Sequence, residues 1–251
     1  MNSPAPLFSI IVPTYNEELL LPRLLESLRC QSFQDYETIV ADDKSTDLTQ
    51  KIALKYGARL IVNNGIGEYP SRNAAASIAR GSILIFTGAD TLMPPDLLKA
   101  VAMKFDKDQR LVGIYCPTYP YDAPFWAKAE FTLWYVLTTL VYWITKEANA
   151  STAFFAVRTE VFRATGGFRN TAFADSSLAR QISRSFKVRP QLDLVIFVSG
   201  RRTSMGIAGF NRYHLAMIME VVFRFFRRSH WLRAENDYRI LLHTKSKQSE
   251  S

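Results

Sequence analysis

A chain of 251 residues, 48% of them hydrophobic, can bury one sizeable core, which excludes a disordered or low-complexity protein. Its formal charge of +8 is uneven. From Arg201 onward ten basic residues face four acidic ones, as expected of an anionic partner or of a solvated basic tail. All three histidines lie at or beyond His214, which excludes a Ser-His-Asp triad or a His-ligated zinc site in the first two hundred residues.

The elements follow in order. Phe8–Val12 is a continuous apolar run, as expected of a strand covered on both faces. A helix is predicted over Glu18–Arg29, where leucines recur at helical spacing. A second strand, Glu37–Val40, runs out at Asp42-Asp43. Ser45-Thr46-Asp47 then offer capping groups to a helix through Tyr56. Arg59–Val62 reads as a third strand, Ser71–Ala79 as an alanine-rich helix and Ile83–Phe86 as a fourth strand. Pro94-Pro95-Asp96 opens a further helix, and Leu111–Cys116 is a fifth strand.

This alternation predicts an α/β fold: a mostly parallel sheet flanked by helices. Ligands of such sheets sit at the carboxyl ends of the strands. The polar candidates fall there: Pro13–Glu17, Asp42-Asp43 and Gly88–Thr91.

Beyond Pro117 the pattern changes to an aromatic-rich helical region reaching about Lys146. A short strand near Thr152–Val157, a turn at Gly166-Gly167-Phe168, a helix over Asp175–Phe186 and a strand near Leu194–Val198 follow. Phe131–Ile144 is apolar but, at fourteen residues, too short to span a bilayer. It is a core helix, a dimer face or an interfacial segment, with the core helix preferred. Arg212–Arg228 reads as a basic amphipathic helix that either packs on the domain or lies in a membrane interface. The expected division is therefore a domain over 1–210 and a basic helical extension over 211–251. The two cysteines lack metal-ligand spacing and no secretory signal is read at the start, so a cytoplasmic setting with reduced thiols is expected. No nucleic-acid reading motif is found, and no G-x-G-x-x-G follows the first strand.

Six segments in order resemble family 2 glycosyltransferases: Ser9–Glu18 (SIIVPTYNEE), Val40–Thr49 (VADDKSTDLT), Ser71–Gly81 (SRNAAASIARG), Ile85–Thr91 (IFTGADT), Thr165–Phe168 (TGGF) and Ala174–Arg180 (ADSSLAR). The resemblance implies a GT-A fold with a C-terminal helical extension. It also implies inverting transfer of a sugar from a UDP- or GDP-sugar to a glycan or polyprenyl-linked lipid acceptor, with peripheral membrane contact as an attendant expectation. It implies that Pro13, Thr14, Asn16 and Glu17 line the nucleotide pocket and that Asp43 contacts base or ribose. Arg72 would approach base or diphosphate. Asp90 would hold Mg2+ or Mn2+ and orient the sugar phosphate, and Asp175 would be the general base. Val198–Gly206 (VSGRRTSMG) resembles a stretch of some small family members, which would turn Arg201 or Arg202 toward phosphate. Two departures stand out. The D-x-D motif reads Gly88-Ala89-Asp90, and the E-D pair reads Ala174-Asp175. Both losses also suit a degenerate module that binds nucleotide or glycan without transfer.

Overall fold

The computed structural model describes residues 4–171 and 173–205, apart from the side chains of residues 202, 204 and 205. The first half alternates as expected: β1 (Phe8–Thr14), α1 (Leu21–Arg29), β2 (Tyr36–Asp43), α2 (Thr49–Lys55), β3 (Arg59–Asn63), α3 (Glu68–Ile78) and β4 (Ile83–Thr87). Then come β5 (Thr91–Leu92), α4 (Leu97–Lys107), β6 (Leu111–Tyr115), β7 (Thr118–Pro120), α5 (Phe125–Thr145) and β8 (Phe154–Arg158). The described chain finishes with α6 (Thr159–Ala164), α7 (Ala174–Ser183), β9 (Lys187–Pro190), β10 (Ile196–Val198) and a 3-10 turn over Gly200–Met205.

Seven strands form one sheet in the order β3-β2-β1-β4-β8-β6-β9. All neighbours are parallel except β8, which runs antiparallel to both β4 and β6. Strand residues alternate between two apolar layers, as the two-residue period of a strand requires. Phe8, Ile10 and Val12 of β1 face the layer that holds Leu21, Leu24 and Leu28 of α1 and Leu98 and Val101 of α4. Ile11 faces the other, with Ala75 and Ala76 of α3, Phe162 of α6 and Leu178 of α7. Covered on both faces, the central strands carry almost unbroken apolar runs.

A second, three-stranded sheet in the order β5-β10-β7 stands beside the first. It pins the chain after β4 to the chain before the 3-10 turn, through Val198 opposite Thr91 and the Ser199 N–H donating to the Asp90 carbonyl at 2.9 Å. Two polar positions far apart in sequence are thereby brought side by side.

Three expectations need correction. The third helix starts at Glu68, three residues before Ser71, because Gly67 turns the chain at φ 93° and Pro70 is tolerated within a first helical turn. The helix expected from Glu18 starts at Leu21, since the Asn16–Glu18 backbone is held by Ser45, Thr49 and Asp47 instead. The preference for Phe131–Ile144 as a core helix fails. Within α5 only Ala127, Thr139 and Tyr142 are buried, while Leu133, Leu140 and Ile144 face solvent. The expected amphipathic helix at Arg212–Arg228 lies outside the described residues.

Candidate active site

Polar side chains converge where β1 and β4 end and where β10 leads into the 3-10 turn. One cleft there is lined by Pro13, Glu17, Arg72, Asp90, Asp175 and Arg201, drawn from five separate stretches of chain.

Arg201 stands at its centre. Its two terminal nitrogens donate to the two carboxylate oxygens of Glu17, each at 2.8 Å. Its Nε lies 3.1 Å from Oδ2 of Asp90. One guanidinium thus bridges the loop after β1 and the loop after β4, in the forked geometry that favours arginine over lysine. Gly88 makes room for this arrangement. A Cβ at that position would come 2.6 Å from Oδ1 of Asp90, so the missing D-x-D carboxylate leaves space that Asp90 itself occupies.

Burial pushes the Glu17 carboxyl above its ordinary value; Arg201 pulls it back, while Asp90 and Asp47 push it up further. Asp175 behaves similarly at the start of α7. Desolvation raises it, and the backbone N–H groups of Thr152 and Ser176, donating at 3.1 and 2.8 Å, offset this only in part. Glu68 raises it further and Arg72 lowers it. A carboxyl held above its ordinary value is a stronger base than an exposed aspartate.

Arg72 forms the floor. It is 2% exposed and donates to Glu68 at 2.9 Å and to the Thr87 carbonyl, at the end of β4, at 3.0 Å. Its charge is therefore committed to holding the β4 loop as well as facing the cleft.

Three predicted residues are placed otherwise. Thr14 is 1% exposed and donates to Asp42. Asn16, at φ 53°, accepts the Thr46 N–H at 2.8 Å. Asp43 accepts the N–H groups of Ile66 and Gly67 at 2.9 and 2.8 Å. None of the three is among the residues that line this cleft. They tie the loops after β1, β2 and β3 to one another beside the cleft. The side chain of Arg202 lies outside the described residues.

Among the lining residues that had no part in the expectation, Glu68 and Thr152 bear on the charges of the site. Glu68 sits four positions before Arg72, a helical ion-pair spacing that a reading of charges could have found. Thr152, whose N–H orients Asp175, carries no such signal.

Four carboxylates (Glu17, Glu68, Asp90 and Asp175) line the cleft against two guanidiniums. A diphosphate entering it would meet net repulsion unless a cation came with it. Among the described residues no group of three or more His, Cys, Asp or Glu converges as a complete metal site. Of the carboxylates lining the cleft, Asp90 is one that could hold a hard divalent ion together with oxygens of a substrate's own phosphates.

An α/β sheet with antiparallel β8 inserted, and an acidic cleft at its carboxyl ends, defines a GT-A fold, and solved structures share it. The chain aligns with "Mannosyltransferase PcManGT from Pyrobaculum calidifontis in complex with GDP-Man and Mn2+" at TM-score 0.65 and 24% identity, over 78% of this chain and 57% of that one. It aligns with "S. aureus TarS 1-349 in complex with UDP-GlcNAc" at TM-score 0.61 and 22% identity, over 77% of this chain and 58% of the other. The family model "Glycosyl transferase family 2" matches residues 9–166, and the chain belongs to that family. A PGL/p-HBAD biosynthesis glycosyltransferase of Mycobacterium bovis (strain BCG / Pasteur 1173P2) is 40% identical over 105 residues, 39% of this chain and 41% of that protein. The matched stretch thus spans about two fifths of that relative's length. TarS of Staphylococcus aureus (strain Mu50 / ATCC 700699), a poly(ribitol-phosphate) beta-N-acetylglucosaminyltransferase, is 37% identical over 108 residues, 40% of this chain and 19% of that protein.

Proposed function

We propose that this protein is an inverting glycosyltransferase that moves a sugar from a UDP- or GDP-sugar to a glycan or polyprenyl-linked lipid acceptor. One observation carries the reading: Asp90, Arg201 and Asp175 line a single cleft at the carboxyl ends of the sheet. In this reading the transferase domain runs over 1–210 and residues 211–251 are an appended segment. The setting is the cytoplasm or the cytoplasmic face of a membrane. Two relatives support the donor class, being solved with GDP-Man and with UDP-GlcNAc.

In this reading the lining residues take the following roles. Pro13 and Glu17 border the donor. Asp90 would hold Mg2+ or Mn2+ against the diphosphate, and that ion would neutralise the charge that develops on the leaving group. Arg201 offers a guanidinium to the same phosphates, with Glu17 setting its direction; Arg202 follows it as a second phosphate candidate. Thr14, Asn16 and Asp43 keep the donor loops in register, and Asp43 retains lone pairs for a base or ribose hydroxyl. Asp175 removes the proton from the acceptor hydroxyl as that oxygen attacks the anomeric carbon. The bond to the diphosphate breaks on the opposite face, so a single displacement inverts the centre.

A second reading has its own observation. Gly88 and Ala174 stand where two carboxylates of the family pattern are missing, which suits a module that binds donor or glycan without turnover. The discriminating experiment follows release of UDP or GDP from a panel of donor sugars with Mn2+. Release that depends on Asp90 and Asp175 is expected of the transferase. Binding without release from any donor, with or without acceptor extracts, would favour the module.

A further inference from the structure

The helix α5 (Phe125–Thr145) presents an apolar face that the described residues leave uncovered. Leu133, Val136, Leu137, Leu140, Val141 and Ile144 are 42–83% exposed and fall at the i, i+3, i+4, i+7, i+8, i+11 positions of a single helix face. No charged residue occurs between Phe131 and Thr145. At its two ends are lysines that lie over aromatic rings: Lys128 is 5.7 Å from the ring centre of Tyr119, and Lys146 is 4.7 Å from that of Trp143. Surface patches of this extent and purity call for a partner.

Three features say which partner. The face offers no hydrogen-bonding register. Thr132, Thr138 and Thr145 turn their hydroxyls back onto carbonyls of their own helix, at 2.8–3.1 Å. A protein interface usually carries about one hydrogen bond per 100–200 Å², whereas a lipid phase asks for none. Second, among the described residues no helix is long and apolar enough to cross a membrane, so a helix of this kind would lie along a surface. Third, the described chain passes beside the first turn of α5 just before a stretch whose sequence is basic. Gly200 packs against Ala123, two residues before α5 begins, and its N–H is held by Asp122. Beyond Arg201, whose guanidinium is held in the cleft by Glu17 and Asp90, the sequence carries nine basic residues against four acidic ones. An apolar face alone binds membranes weakly; a neighbouring polybasic stretch supplies the second signal that stable attachment needs.

We infer that the exposed face of α5 is a docking surface for an anionic lipid bilayer, assisted by the basic stretch that starts beside its first turn. Phe131 of the same helix lines the cleft. The docked protein would therefore hold its cleft at headgroup level, where the sugar-accepting end of a lipid-linked acceptor resides. That last step rests on the transferase reading; the docking itself does not.

The test uses the full chain and vesicles of phosphatidylcholine, with and without phosphatidylglycerol, in a sedimentation assay. The wild type is expected to partition onto the anionic vesicles, less so in high salt. Leu140→Glu combined with Ile144→Glu is expected to lower that partition by about tenfold or more, since carboxylates are costly in the acyl boundary. Its melting temperature and its release of nucleotide from a soluble donor should not change. Three of the four tryptophans, Trp126, Trp134 and Trp143, lie on α5, so brominated lipids should quench the wild-type fluorescence. Absent partition, absent quenching, or equal partition by the double variant would each overturn the inference. So would a loss of thermal stability or a fall in oligomeric mass in the variant, because either means the face is packed against protein. Vesicle binding without nucleotide release would leave the docking intact and count against the transferase reading alone.

Discussion

The two ends of the central sheet treat carboxylates in opposite ways. At the amino end, Glu37 of β2 is almost buried, yet its donors outweigh the cost of burial. Burial alone would raise it, but the hydroxyl of Ser9, the N–H of Arg80 and the guanidiniums of Arg59 and Arg80 hold it down to about 2. At the carboxyl end, Glu17 and Asp175 are also withdrawn from water, and their donors do not fully compensate, so both are raised. A satisfied carboxylate holds the fold together; an under-satisfied one in a cleft is held ready for a ligand or a proton. The same residue type is thus fully satisfied at one edge of the sheet and left under-satisfied in the cleft at the other.

Substitutions can break that contrast, and the largest effect should come from Asp175. Asp175→Asn is expected to lower turnover by about 10²–10⁴-fold, the usual range for a general base. Its thermal stability should hold or rise. A raised carboxyl binds its proton more tightly when folded, so the native state loses stability as pH climbs through the raised value, and the amide removes that penalty. In the wild type, turnover should rise with pH across the same window, which a pH–rate profile would read.

Next is Arg201→Ala, which removes one guanidinium from two carboxylates. Calorimetry should show donor binding weakened by about 10- to 100-fold, in line with the loss of charge-assisted bonds worth roughly 1.5–3 kcal/mol. Arg201→Lys should recover little of it, because a point charge cannot span both Glu17 and Asp90.

At the opposite end, Glu37→Gln should leave donor binding unchanged while costing about 2–3 kcal/mol of stability, read by chemical denaturation. The sign of the pH dependence distinguishes it from Asp175. The Glu37 contribution is complete above the unfolded value near 4.3 and is lost as pH falls toward about 2. The smallest effect belongs to Asp47, whose carboxylate accepts the Thr49 N–H at 2.9 Å at the start of α2. Asp47→Ala should cost about 1 kcal/mol, as loss of a side-chain–backbone hydrogen bond does, with little change in turnover.

Much of this was legible from residue order alone. Unbroken apolar runs in β1, β2 and β4, separated by helical periods, foretold a parallel sheet covered on both faces. Motif positions named Asp90, Arg201 and Asp175, which the fold brings into one cleft. What periodicity and motifs do not carry is which atom satisfies which. The Glu17–Arg201 pair joins residues 184 positions apart, brought together by the pairing of β1 with β4 and of β10 with β5. Thr14, Asn16 and Asp43 lie within the matching motifs yet spend their polar atoms on neighbouring loops. Strand β9 escaped because Lys187-Val-Arg-Pro190 is a short, charged edge with no apolar alternation. The exposure of α5 escaped for the opposite reason. An apolar helix reads the same from its sequence whether protein or lipid covers it.

The central claim is that the acidic cleft accepts a nucleotide diphosphate together with a divalent cation at Asp90. Isothermal titration of UDP, GDP and their sugars, in Mn2+ and then in EDTA, measures this directly with the wild type and with Asp90→Asn. The account predicts tight binding of one nucleotide class in Mn2+, weakened by EDTA and by the substitution alike. Equal affinity in Mn2+ and EDTA, or an Asp90→Asn protein that binds as the wild type does, would contradict it.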